Sequence, residues 1–370
     1  FDSVPSTRAA TAAMSRNHLV DRIRRILDPE DHPMKLPRTT LVLMTAMFLL
    51  PALLIGSQVT PPGPQGREQT LSVGAQEPVG PARPKLPGRI VAEAFRMGAP
   101  AGKERVAGVT GIFEISPETG KWRLVADRRG RPRLSPDGQT LAFLEQVRKL
   151  TDSAIWTTSM QGGPAPVKIA DSPGLPVWSP DGKQFIVSMI KDVDNLEFET
   201  WRMDIDGGNR TRLPLAATDQ VQDWSSSGHL LVMRRKEGRY YVTIVGLDGA
   251  EPNPMSLGGA NPRFSPDGKQ FVYTARAPQG GLELTIMNVD GGNRRQINVG
   301  KDVDVQACWS PDGRWLAVSL RDGQRNRAGR LTLSADPVLS NPRIEIVSLD
   351  GKERHPLKLP PGLVTLGDWR

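Results

Sequence analysis

The sequence is poor in the residues that most often carry chemistry. One cysteine, Cys308, stands in 370 residues, so no internal disulfide framework braces the fold. Cys308 falls inside a strand motif, QACWSPDG, where burial is its ordinary role. The four histidines are His18, His32, His229 and His355, and no pair brackets a glutamate one helical turn apart. The His-Glu-x-x-His arrangement that holds zinc is therefore missing. So is the Gly-x-Ser-x-Gly elbow that presents a hydrolase serine. Aromatic residues make up 5% of the chain, and no basic stripe alternates with them. With a net charge of only +8 over this length, nucleic-acid binding has little to rest on. The stretches DIDGG and NVDGG lack the spaced oxygen ligands and terminal Glu of a calcium loop, and read as turns. The paired acids of KDVDN (191–195) and KDVDV (301–305) read as solvated loop charge. No catalytic residue, cofactor or metal is expected in this chain.

What the chain has in plenty is repetition. RLSPDGQTLAF, WSPDGKQFIVS, RFSPDGKQFVYTA and WSPDGRWLAVS share one phrase, and DWSSSGHLLVM keeps its frame. In Ser-Pro-Asp-Gly, proline presets φ for a type I turn, Ser and Asp bond the local backbone, and Gly accepts the closing positive φ. Asp137, Asp181, Asp267 and Asp312 are therefore expected to be structural turn residues. The runs that follow are β-branched, aromatic and apolar at consecutive positions, as in strands covered on both faces. The phrase returns roughly every 40–45 residues, a period of propeller blades with about four strands each.

A second phrase follows most turns: a strand, a Gly turn and a short outer strand. WRMDIDGGNRTRL (201–213), VTIVGLDGAEPNPM (242–255), TIMNVDGGNRRQI (285–297) and IEIVSLDGKERHPL (344–357) are examples. Second strands begin near Arg89, Gln139, Lys183, His229, Lys269 and Arg314. The first blade has no inner strand of its own, and the C-terminal TLGDWR has no blade. Pairing them predicts a closed ring, with Trp369 matching Trp178, Trp224 and Trp309 and the chain ending naturally at Arg370. The SPDG turns and DGG hairpins resemble TolB-type, WD-like propeller repeats over 89–370. The resemblance implies an all-β, six-bladed β-propeller. It leaves function open among interaction scaffolds, extracytoplasmic sensors and the lids of peptidases.

The N-terminal part differs. Residues 39–59 carry no charge, and at about 1.5 Å per residue they span roughly 30 Å, the hydrocarbon thickness. Arg22, Arg24, Arg25, Lys35 and Arg38 precede this stretch, which predicts a transmembrane helix with 1–38 cytoplasmic and the propeller outside. Residues 60–88 are rich in Pro and Gly and read as a tether. His18, Leu19, Ile23, Ile26 and Leu27 recur at helical spacing, with arginines between them. This segment and the span after it resemble the end of BlaR/MecR-like membrane metallopeptidases, antirepressor sensors whose catalytic motif is missing here. As the chain opens at Phe1, it is expected to be a fragment of such a protein or a product that has lost its catalytic part. Alternatively, Met34-Lys35, the apolar run and Gly56-Ser57 form a signal-peptide layout for a secreted TolB-like scaffold. The leading expectation is a membrane-anchored extracytoplasmic sensor or interaction propeller. Its partner is a protein or peptide at the funnel or rim, and residues 39–59 are its membrane contact. A propeller enzyme is the third reading.

Overall fold

A computed structural model describes residues 84–95, 110–128, 130–145, 153–171, 174–192, 195, 197–253, 255–276, 282–299, 303–325, 331–333, 342–359 and 363–370. The expected membrane helix at 39–59 and the segment before it lie outside the described residues. Among the described residues, no helix is long and apolar enough to cross a membrane. The described residues are all-β.

The first sheet joins the two ends of the propeller region. Its strands are β1 (Ile90–Phe95), β2 (Gly111–Ile115), β3 (Trp122–Ala126) and, from the C-terminus, β24 (Leu363–Trp369), in the order β24-β1-β2-β3. β24 runs antiparallel to β1 from Phe95↔Leu363 to Ile90↔Trp369. The second sheet is β4 (Gly130–Leu134), β5 (Thr140–Glu145), β6 (Ala154–Ser159) and β7 (Val167–Asp171) in sequence order. The third is β8 (Pro176–Trp178), β9 (Gln184–Asp192), β10 (Glu197–Asp204) and β11 (Thr211–Arg212).

Seven strands follow in one hydrogen-bonded path: β12 (Asp219–Trp224), β13 (His229–Lys236), β14 (Arg239–Gly246), β15 (Leu257–Phe264), β16 (Gln270–Arg276), β17 (Leu282–Asn288) and β18 (Arg295–Ile297). Here the structure departs from the sequence reading. Among the described residues of 251–255, no separate outer strand forms. Instead β14 pairs with the start of β15, through Tyr241↔Gly258 and Val242↔Leu257. Pro252 accounts for part of the change, because a proline has no N–H to give a ladder. The last sheet contains β19 (Val303–Trp309), β20 (Trp315–Arg325), β22 (Arg343–Ser348) and β23 (Arg354–Pro356). The far end of β20 extends to pair with β21 (Leu331–Leu333), a hairpin the repeat does not predict.

The strands after the turns are buried at consecutive positions, as in β5, where Leu141, Ala142, Phe143 and Leu144 are all inaccessible or nearly so. Both faces therefore pack. Val91 and Ile112 meet Leu134, Leu141 and Phe143 between the first two sheets. Leu144 and Ile155 meet Trp178 and Phe185. Val177 and Ile186 meet Val221 and Leu230. Leu231 and Ile244 meet Phe264 and Phe271. Val272 and Ile286 meet Trp309 and Leu316. The series returns to its start, because Cys308, Ala317 and Ile346 pack with Ile90, Phe113 and Trp369. Leu86, inside the segment read as a tether, is buried in this last cluster.

The turns that open the second strands share one geometry. Gly138, Gly182, Gly268 and Gly313 adopt φ between 67° and 71°, and each donates its N–H to the Ser three residues back. Asp137, Asp181, Asp267 and Asp312 each accept the hydroxyl of that Ser and the N–H two residues ahead. Successive turns abut, with Gly182 against Pro136 and Gly313 against Pro266.

Two predictions follow from this packing. The hydroxyl of Ser265, then the Lys269 N–H, holds the Asp267 carboxyl below its ordinary value. A depressed carboxylate stabilises the fold above its unfolded pKa, and that contribution is lost as pH falls toward the folded value. Asp267→Ala is expected to lower stability by about 1 kcal/mol at neutral pH and by less in acid. Denaturant titrations at several pH values read the difference, and an equal loss at all pH values contradicts it. Trp369 is fully buried in the cluster shared by the first and last sheets. Trp369→Ala is expected to cost about 3–5 kcal/mol, and a thermal melt that matches the parent contradicts that role.

Candidate functional site

The innermost strands are β24, β4, β8, β12, β15 and β19. Aligned on the aromatic or leucine that precedes each turn, they carry one residue type per strand just before it: Asp368, Arg133, Val177, Asp223, Arg263 and Cys308. The order Asp-Arg-apolar thus occurs twice around the set. All but Cys308 line one narrow cavity, with Trp178, Gln222 and Arg370. A second, wider cavity of about 470 Å³, counting its opening, adjoins it toward the strand starts. Arg131, Arg133, Gln222, Arg263, Gln306 and Thr365 bring their side chains to its wall, and Asn261, Pro132, Ala307, Leu366 and Gly367 complete it. Arg133, Arg263 and Gln222 border both cavities, so together these spaces form a channel.

β-bulges shape this channel. The pairing shifts between Leu366 and Asp368 on β24, between Val221 and Asp223 on β12, and between Ala260 and Arg263 on β15. A bulge leaves an extra residue unpaired and re-aims the strand. The extra carbonyls are used. Arg133 Nη1 donates to Gly367 O at 3.4 Å, and Arg263 Nη1 donates to Gln222 O at 2.5 Å and to Pro262 O at 3.3 Å.

The acids are tied to the backbone. Asp223 accepts the Trp224 N–H at Oδ1 (2.9 Å) and the Phe264 N–H of the following strand at Oδ2 (2.8 Å). Asp368 Oδ1 accepts the Trp369 N–H at 3.0 Å, and its Oδ2 lies 3.8 Å from Arg370 Nε. Burial raises the Asp223 carboxyl pKa, with Arg370 and the Phe264 bond opposing. Burial likewise lowers the Arg133 pKa, against the attraction of Asp368 and Asp223. Asp368 raises the pKa of Arg370. The Cys308 thiol is buried and its pKa is pushed well above the usual value by that burial, then by Asp368.

The four turn aspartates sit outside this channel, on exposed turns at the ends of the innermost strands. Trp369 packs behind the channel wall and sends its indole N–H to Pro87 O at 2.8 Å. No group of three His, Cys, Asp or Glu side chains is placed to hold a metal among the described residues. Asp223, Asp368, Arg133, Arg263 and Arg370 were not singled out by the sequence reading. Their signal was present in the residue just before each repeat's aromatic, where charge replaces the apolar residues expected of a strand.

No family model matches the chain. An uncharacterized protein of Agrobacterium fabrum is 28% identical over 196 residues, covering 49% of this chain and 66% of that protein. An uncharacterized peptidase of Bacillus subtilis, YuxL, is 30% identical over 183 residues, covering 47% of this chain and 26% of the peptidase. The match thus spans less than two thirds of either relative's length. The crystal structure of TolB from Acinetobacter baumannii superposes with a TM-score of 0.59 at 18% identity, over 76% of this chain and 66% of TolB. The fold is therefore a TolB-like β-propeller.

The channel makes one expectation about Cys308. A buried thiol with a raised pKa offers little thiolate, the reactive form. Iodoacetamide is expected to modify Cys308 only after denaturation. Stoichiometric modification of the folded chain at neutral pH contradicts this placement.

Proposed function

We propose that the chain is a six-bladed propeller, closed by β24, that serves as the extracytoplasmic sensing or protein-interaction end of a membrane-anchored protein. The seven-stranded path counts as two blades, divided at the short β14–β15 junction. The six core clusters between successive blades, the last returning to the first, support the closed count. The uncharged run at 39–59 and its basic flank support the anchor and the topology. The helical-spaced arginine segment before it supports a place beside BlaR/MecR-like signalling peptidases.

The observation that carries a binding role is the channel. Its aspartates accept backbone N–H bonds, whereas Arg133 and Arg263 are in no ion pair with a described residue. Groups held this way suit recognition better than proton transfer. A protein or peptide partner at the funnel or rim fits this reading. Met34-Lys35 and Gly56-Ser57 favour one alternative, a secreted TolB-like scaffold.

One experiment separates them. Ser226, exposed beside a turn, becomes the labelling site in a Ser226→Cys, Cys308→Ser chain expressed in cells with a permeabilised outer membrane. The proposal expects labelling by a membrane-impermeant maleimide and a product that keeps residues 1–56 and sediments with membranes. Protection from the reagent overturns the topology. A soluble product that begins near Ser57 overturns the anchor in favour of the secreted scaffold.

A further inference from the structure

Arginines line the wider end of the channel. Arg133 and Arg263 are on its wall with Arg131, Gln222, Gln306 and Thr365, and among the described residues that line it there is no carboxylate. Asp223 and Asp368 lie deeper, with Arg370, toward the Ser-Pro-Asp-Gly turns. The two acids are engaged by backbone N–H groups of Trp224, Phe264 and Trp369. They approach Arg133 and Arg263 without pairing with either at contact distance.

Each of these guanidinium groups retains donors. A guanidinium carries five N–H groups. Arg133 donates one to Gly367 O, and Arg263 donates from Nη1 alone, to Gln222 O and Pro262 O. Both acceptors on the neighbouring strands are neutral carbonyls, which fix the direction of each fork but do not neutralise it. The two forks come from β4 and β15 and border the same space of about 470 Å³. Burial disfavours the charge on Arg133, which is what an incoming anion would offset.

The geometry points to a small oxyanion, of carboxylate or phosphate type, as the ligand of this wider end, held between Arg133 and Arg263. Planar forks match both anions with two parallel N–H bonds, and such charge-assisted bonds are the strong ones. The inference rests on the binding role proposed above and names the chemistry of what is bound.

Calorimetric titration of the full chain in non-ionic detergent at low ionic strength tests it, with inorganic phosphate, succinate and the uncharged succinamide as probes. Phosphate or succinate is expected to bind, succinamide is not, and added salt is expected to weaken the binding. The tighter of the two anions identifies the type. Arg133→Gln and Arg263→Gln are each expected to weaken binding about tenfold or more, the scale of one lost charged bond. Arg133→Lys is expected to lose less than Arg133→Gln. Arg263→Gln and Arg133→Lys keep the test open if Arg133→Gln does not fold, and a thermal melt of each variant reports folding. Succinamide binding as tightly as succinate overturns the inference. So does the absence of heat with both anions, or parental affinity in both folded Gln variants. The labelling experiment reads location independently. A chain labelled outside the cell that binds neither anion therefore overturns the ligand and not the topology.

Discussion

Two innermost strands, β8 and β19, are each located by an indole that reaches back to the innermost strand before it. Trp178 Nε1 donates to Arg133 O at 3.1 Å, and Trp309 Nε1 donates to Arg263 O at 3.1 Å. A buried indole N–H without an acceptor costs roughly 1–3 kcal/mol, so the bond fixes the offset between neighbouring strands. The acceptor in both cases is the carbonyl of a channel arginine. The core of one sheet thereby sets where the guanidinium of the previous sheet begins. Trp369 makes the same bond to a different partner, Pro87 O, because residues 86–88 lie beside it. Gly88 is required there: a Cβ would fall 2.3 Å from Arg370 O, at a φ of 77°.

The bulges complete this placement. Regular pairing would turn the carbonyls of Gly367 and Gln222 into the ladder. The inserted residues free them to accept from Arg133 and Arg263. Gly367 also has no room for a side chain, since a Cβ would sit 2.5 Å from the Pro132 ring and 2.7 Å from its carbonyl. Sequence and channel are linked at that point: a glycine on β24 lets Pro132 of β4 close in, and the next residue on β4 is the arginine that reaches back. Asp223 ties the other side in the same way by accepting the N–H of Phe264 on the following strand.

Much of the fold is legible in the residues. Ser-Pro-Asp-Gly encodes its turn locally, because every bond it makes lies within five residues, as in Ser265, Asp267 and Gln270. The partnership of β24 with β1 is legible by counting strands, although their residues stand at opposite ends of the fold. The repeat overstates the outer strand after β14, since it runs past Pro252, and β14 pairs with β15 instead. The hairpin of β20 and β21 was missed since its residues follow no repeat. The channel was missed for another reason. Which face of an inner strand meets its neighbours depends on bulges at Gln222, Asn261-Pro262 and Gly367, and nothing in a single strand's pattern marks them. Asn261 shows the cost of that geometry, with a φ of 53° that few non-glycine residues adopt.

The same repeat therefore does two physical jobs at adjacent positions. The aromatic or leucine turns into the core between sheets, and the indoles of Trp178, Trp309 and Trp369 are satisfied by carbonyls. The residue before it turns toward the channel and is free to vary: valine on β8, cysteine on β19, and aspartate or arginine on the other four strands. Aspartate at this position is drawn toward backbone N–H groups and strengthens the join between strands. Arginine is longer and, having no acceptor capacity, donates only to carbonyls there, while Asp368 and Asp223 act on Arg133 without bonding it. An acid in this column thus acts mainly on the fold, and a base acts mainly on what enters the channel. That asymmetry follows from donor and acceptor chemistry, and it leaves Arg133 and Arg263, but neither Asp223 nor Asp368, on the wall of the wider end.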